Sequence, residues 1–187
     1  MRSGKGRFEK LSGLALALRS YRRTPKRDHG MRRDNFALAV ENIDWVEEDG
    51  DPHEPLVNID FQGPEALLRE RLSGANGDLL EAEETDVAFR LQEPLDQNDA
   101  VGVVSVTNRL TGDFVLELNE EAADVMRFIA AAREYGKRTD VDGGRYRVEI
   151  SLNGDQLVAY EKETFLVYDP DGKLLRSKSL IPSGVEL

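Results

Sequence analysis

The chain of 187 residues contains no cysteine and only two histidines. Without cysteine it can form neither a disulfide nor a reactive thiolate, and it does not need an oxidising compartment. His29 and His53 are too few for a zinc site, which takes three or four His, Cys or carboxylate ligands. The sequence therefore predicts a cytoplasmic protein without a metal centre.

Long apolar runs are also missing. The longest uncharged apolar stretch, Leu11–Leu18, is far short of the roughly 20 residues needed to cross a bilayer. It follows a basic start, as in a secretory signal, but Arg19 interrupts it and no small-residue cleavage site follows. We therefore predict no association with membranes.

The charge changes sign along the chain. Residues 1–30 contain nine Lys/Arg and two Asp/Glu, a net charge of +7, whereas residues 31–187 contain 16 Lys/Arg and 34 Asp/Glu, a net charge of −18. Nucleic-acid phosphates would repel a domain this acidic. The sequence thus predicts a basic leader over residues 1–30, followed by a single acidic domain over residues 31–187.

Three interpretations of the leader stay open. It is a disordered segment, a mis-called start with Met31 as the true first residue, or a basic tail that binds RNA or DNA. Nucleic-acid binding is expected through this segment only.

The acidic domain is poor in lysine, with four lysines against twelve arginines. In molar salt the Debye length falls to ~3 Å, so the self-repulsion of such a surface is screened. This composition favours adaptation to a salty cytosol. The alternative is an ordinary acidic protein.

Two segments have the periodicity of helices. The first, near residues 64–73, begins at Pro64 and stops before Gly74. The second, near residues 119–136, has Asn119 as its N-cap candidate and Gly136 as its stop.

Elsewhere apolar and polar residues alternate, which predicts strands. We expect a bulge near Glu41–Asn42, a tight hairpin at Asn153–Gly154, and a last strand over Leu174–Leu180. The fold class is predicted as α+β, with a mostly antiparallel sheet of about eight or nine strands and two helices.

Motifs for catalysis or cofactor binding are lacking. No serine stands in Gly-x-Ser-x-Gly, and no glycine-rich segment matches a Walker or dinucleotide loop. The acidic loop around His53 fails as an EF-hand, because Glu54 stands where glycine is needed. We therefore predict no catalytic, cofactor-binding or metal-binding residue.

Four residues could form an interaction patch. Arg145 and Arg147 share the strand face opposite Tyr146, and Tyr160 and Tyr168 are expected nearby; arginine and tyrosine are favoured at protein interfaces. The alternative is that the arginines neutralise neighbouring carboxylates. A second candidate is the weakly charged end of the chain, Ser179–Leu187, which either docks as a final strand or projects as a partner-binding peptide.

Six segments resemble an uncharacterised domain family of halophilic archaea. They are Met31–Phe36, Asn42–Trp45, Val103–Arg109, Thr111–Leu118, Thr164–Tyr168 and Ser179–Leu187. The resemblance covers about residues 31–187 and leaves out the leader. It implies a salt-adapted domain, but no activity and no functional residue.

We therefore predict a non-enzymatic interaction or scaffold domain whose partner is another protein. The competing class is an enzyme or small-ligand binder that uses Arg, Asp and Glu groups in a cleft. A pocket in which Arg109, Arg145 or Arg147 meets carboxyls of raised pKa would favour that class.

Overall fold

The computed structural model describes residues 31–97 and 99–185. Predictions about the basic leader fall outside these residues. The described chain forms eight strands and two α-helices, in the order β1 (Phe36–Glu41), β2 (Leu56–Phe61), α1 (Glu65–Leu72), β3 (Thr85–Leu91), β4 (Val101–Asn108), β5 (Phe114–Glu121), α2 (Ala122–Thr139), β6 (Tyr146–Leu152), β7 (Asp155–Lys162) and β8 (Leu166–Tyr168).

The strands form two four-stranded sheets instead of one. The first has the order β1-β2-β6-β7 and the second β5-β4-β3-β8. Neighbours are antiparallel except for the pairs β2/β6 and β3/β8, which are parallel. The predicted α+β class with mostly antiparallel strands is confirmed. These parallel pairs decide which strands share a sheet. The pair β2/β6 joins β6 and β7 to β1 and β2, and the pair β3/β8 joins β8 to the sheet of β3, β4 and β5.

A single hydrophobic core contains the inward-facing residues of both sheets and the apolar side of α2. In β2, Val57, Ile59 and Phe61 are buried while the residues between them are half-exposed. Phe128 of α2 packs edge-on against Tyr146 of β6 at a centroid distance of 5.0 Å. Burial of these apolar surfaces is the main favourable term in folding.

The boundaries of the second helix differ from the prediction. Asn119 lies in β5, and α2 runs past Gly136 to Thr139. Gly136 is buried inside the helix, where its Cα faces the backbone of Gly144. The residue that ends the helix is Asp140, in the left-handed conformation with φ 61°. Gly136 is therefore required for close backbone packing and does not cap the helix.

Two predicted strand features are wrong. No bulge forms near Glu41, because β1 ends there and Asn42 turns the chain with φ 60°. Over Leu174–Leu180 the chain makes isolated bridges and a 3-10 turn in place of a strand. Leu180 is nevertheless buried and paired with Phe165, so this part of the C-terminal run is docked.

Candidate functional site

The structure brings together only two of the four residues of the predicted patch. Arg145 and Arg147 lie on the outer side of the first sheet, as expected. Tyr160 is paired with Val148 and faces the core, where its hydroxyl donates to the Leu80 carbonyl over 2.8 Å. Burial raises the pKa of Tyr160 to about 12. Tyr168 lies on β8 of the second sheet.

The two arginines lie within a network of carboxylates. Arg147 contacts Glu149 and Glu161, each over 2.8 Å. Arg145 contacts Glu54 over 3.0 Å and Glu161 over 3.4 Å. Each guanidinium is thus neutralised from within the domain, as the alternative interpretation expected. Exposed pairs of this kind contribute little to stability, about 0–1 kcal/mol each.

Glu54 and Glu161 both contact Arg145, so their carboxyl groups influence each other. Burial raises the pKa of Glu54, and its hydrogen bond with Glu161 adds to the rise. Burial acts upward on Glu161 as well, but hydrogen bonds from Arg147 and Glu54 and the charge of Arg145 outweigh it and lower that pKa. The two carboxyl groups therefore titrate as a pair, with the pKa of Glu54 above its ordinary value and that of Glu161 below it.

A polar cleft of about 430 Å³ adjoins this network at the edge where the two sheets meet. Arg145 and Glu161 form one side of it, and Arg109 stands opposite, 3.5 Å from Asp86. The cleft thus contains two of the arginines named for a ligand-binding site, but the expected carboxyl of raised pKa is absent from its lining, since the pKa of Glu161 is lowered. Its lining residues are Ala82, Glu83, Asp86, Arg109, Arg145, Glu161, Lys162, Glu163 and Thr164.

Lys162 forms the base of the cleft and is only 9% exposed. Its ammonium donates to the Ala82 carbonyl over 2.6 Å, to the Thr85 carbonyl over 2.5 Å and to the Thr85 hydroxyl over 3.4 Å. Burial lowers the pKa of Lys162. Since an ammonium has three N–H groups, all are used. Lys162 therefore joins the edge of the first sheet to the start of β3 and is not placed as a nucleophile.

A second concave surface lies on the outer face of the second sheet. We call it the outer groove; its volume is about 790 Å³. Its floor contains the small residues Ala88 and Ser105, which are cross-strand neighbours, and Val103, which is paired with Arg90. No helix covers this floor among the residues described.

Two arginines and two aromatic residues surround the floor of the outer groove. Arg33 contacts Glu117 over 3.4 Å on one side, beside Phe114, which is 50% exposed. On the other side Arg90 is paired with Tyr168 in the parallel β3/β8 register and donates to the Pro170 carbonyl over 3.0 Å. Within the described part of the chain, Arg90 contacts no carboxylate.

The sequence prediction missed this groove. Alternation along β3 and β4 places Ala88 and Ser105 on the solvent side, but it does not say that β8 pairs in parallel beside Arg90. The only signal in the sequence was one small outward residue on each of two successive strands, Ala88 and Ser105.

Comparison with known proteins identifies the family of this chain. Residues 31–187 match the model of a family of unknown function, DUF5793. The chain belongs to this family. No curated protein and no solved structure matches it.

The match to DUF5793 spans both sheets and both helices and begins at Met31, where the charge changes sign. It confirms the resemblance to an uncharacterised domain family. Among the described residues, the helices of this DUF5793 member are too short or too polar to span a membrane.

Proposed function

We propose that this DUF5793 domain binds another protein through the outer groove. The observation that carries the proposal is an uncovered concave face where Arg90 and Tyr168 oppose Phe114 across a floor of small residues. Arginine and aromatic residues are enriched where protein interfaces concentrate their binding energy. Small residues in the floor let a partner segment approach the sheet closely.

The charges of the groove indicate the chemistry of the partner. In a domain with 34 carboxylates, Arg90 contacts a backbone carbonyl but none of the described acidic side chains. A carboxylate of the partner could accept a bidentate pair of hydrogen bonds from this guanidinium. Phe114 and Tyr168 would cover an apolar side chain beside it. We therefore propose a partner segment with one carboxylate next to an apolar residue.

Photo-crosslinking tests this proposal. A photoreactive residue at Ala88, in the groove floor, should capture one defined protein in native extract at high salt. The same residue at Ala39, also an alanine on a strand but on the outer face of the first sheet, is the matched control. Equal capture from both positions would contradict the proposal.

A binding assay with the captured protein then tests the groove residues. Arg90→Glu and Tyr168→Ala should each weaken binding by about 30-fold, since interface hot spots are worth ~2 kcal/mol or more. Unchanged affinity in both variants would reject the groove as the binding surface.

Ligand binding in the polar cleft is the second candidate. It is favoured by the presence of Arg109 and Arg145 in one cleft. Glu54, whose pKa is raised, contacts Arg145 but does not line the cleft. Against it, each arginine already contacts a carboxylate and Lys162 is fully hydrogen-bonded. The outer groove, where Arg90 has no described carboxylate contact, is the better supported site.

We also propose that the acidic surface is adapted to a salty cytoplasm. Screening of its carboxylates should raise the melting temperature between 0.1 M and 2 M KCl, which differential scanning calorimetry can measure. A parallel series in sorbitol of equal osmolality is the control. Sorbitol is preferentially excluded from the protein surface but does not screen charges, so a larger rise of the melting temperature in KCl is due to screening. A melting temperature that KCl leaves unchanged would contradict the salt adaptation.

A further inference from the structure

Among the described edge strands, β1 is the one whose outer edge is not blocked. β8 is covered, since the Val167 carbonyl accepts from the backbone of the C-terminal run. β5 packs against α1, whose Arg71 donates to the Phe114 carbonyl. β7 carries carboxylates near both ends. In contrast, Phe36–Val40 of β1 contain no charge, proline or bulge, the features by which proteins keep an exposed edge from pairing.

The backbone groups on this edge are those of Leu38 and Val40. The Asn35 carbonyl accepts from Gln62, so every second residue from Asn35 onward directs its backbone groups to β2. Leu38 and Val40 are the residues in between, and their backbone groups point the opposite way. Among the described residues these N–H and carbonyl groups have no hydrogen-bond partner. β1 therefore offers both donors and acceptors to a further strand.

The core is also incompletely covered along β1. Phe36, Leu38 and Val40 face the core but are only half-buried, whereas the inward residues of the neighbouring strand β2 are buried. A further strand beside β1 would remove more of these apolar side chains from water, which is favourable. Backbone hydrogen bonding and apolar burial thus both favour an added strand at this edge.

The charges at the two ends of β1 favour a second copy in antiparallel orientation. Arg32, Arg33 and Asp34 precede the uncharged stretch, a net positive start, whereas Glu41 and Asp44 follow it. In an antiparallel pair of copies, the positive start of one strand lies beside the negative end of the other. A parallel pair would place like ends together, and like charges on facing strand positions are destabilising.

We infer that two copies of this domain pair through β1, antiparallel, about a two-fold axis at Leu38. Each Leu38 N–H then donates to the Leu38 carbonyl of the other copy, and each Val40 N–H donates to the Phe36 carbonyl. In this register Glu41 faces the neutral Asn35. The first sheets of the two copies become one continuous sheet, and the assembly closes at two copies because the pairing is isologous. The outer groove lies on the second sheet, so this inference does not depend on it.

Light scattering after size-exclusion chromatography tests the pairing, in 2 M KCl to screen the repulsion between two acidic domains. The full chain should have twice its single-chain mass of 21.0 kDa. Over a concentration series, Val40→Pro should weaken dimerisation at least tenfold, because proline removes an N–H that faces away from β2 and is tolerated on an edge strand. Val40→Ala is the control, since it keeps that N–H and should dimerise more tightly than the proline variant. A parent of single-chain mass, or undiminished dimerisation of Val40→Pro, would overturn the inference.

Disulfide crosslinking tests the register without touching the core, since the chain has no cysteine of its own. Ala37 would face Ala39 of the other copy; both are exposed, and Cα atoms in such a pair are about 4.5 Å apart. A disulfide spans this distance but not the ~7–8 Å between the two copies of one residue. Under mild oxidation, mixed Ala37→Cys and Ala39→Cys chains should therefore link at least tenfold faster than either variant alone. Ala130→Cys, exposed on α2, replaces Ala39→Cys in the control for random collisions. Equal linking in that control, or in either variant alone, would overturn the inference.

Discussion

Replacing Lys162 by methionine will lower the free energy of unfolding by about 2 kcal/mol. The substitution keeps most of the buried volume but removes the donor to the Ala82 and Thr85 carbonyls. A buried carbonyl left without a donor costs about 1–3 kcal/mol. This applies to the Thr85 carbonyl, whereas the Ala82 carbonyl still accepts from the hydroxyl and the N–H of Thr85. The loss is partly offset because the folded domain no longer buries an ammonium, whose desolvation lowers the pKa of Lys162. The loss of the hydrogen bonds is the larger effect, because the Thr85 carbonyl is left without a donor and the Ala82 carbonyl loses one of its donors.

Urea denaturation of both proteins measures this difference. Lys137→Met is the matched control, since the Lys137 side chain is 66% exposed and pairs with Glu134 alone among the described residues. Its effect should stay within about 0.5 kcal/mol. If Lys162→Met were as stable as the parent, water from the cleft would be donating to the Thr85 carbonyl in place of the ammonium. Lys162 would then not be needed to join the sheets.

Replacing Gly136 by alanine will destabilise the domain by roughly 2 kcal/mol. A Cβ at this position would lie 2.7 Å from both the Gly144 Cα and the Val141 carbonyl oxygen. These are backbone atoms, so no side-chain rotation relieves the clash, and overpacking of this kind costs about 1–3 kcal/mol. Alanine gains ~1 kcal/mol of helix propensity over glycine. The clash outweighs that gain, and the melting temperature should fall by roughly 4–8 °C.

Ala130→Gly provides the control for helix propensity, because Ala130 is an exposed residue of the same helix. It should cost about 1 kcal/mol through propensity alone. If Gly136→Ala instead raised the melting temperature, the approach of α2 to Gly144 would be looser than the structure shows. Gly136 would then be a replaceable helical residue.

Local features of the chain could be predicted because they depend on neighbouring residues. Alternation located β2, β4 and β6, since successive side chains of a strand point to opposite faces. The apolar spacing of Val125, Met126 and Ile129 located α2. The tight turn at Asn153–Gly154 forms as expected, with both residues at positive φ. The boundary at Met31 was predicted from charge, and the family match begins there.

The candidate sites could not be predicted in the same way. The sequence placed Arg145 and Arg147 on one face, but whether they are available depends on Glu54 and Glu161, which come from a loop and another strand. Tyr160 and Tyr168 were expected near them, although the sequence does not give the strand register. The strand register turned Tyr160 into the core, and the parallel β3/β8 pair placed Tyr168 beside Arg90.

The sequence by itself therefore determined the class of the domain, its acidity, and most of its strands and helices. Only the tertiary structure decided that the strands divide into two sheets, that Lys162 joins them, and that the outer groove exists. The physical reason is the range of the interactions. Alternation and helix spacing are set within a few residues, whereas the pairs β2/β6 and β3/β8 join distant segments through hydrogen bonds that any sequence of strand residues can make.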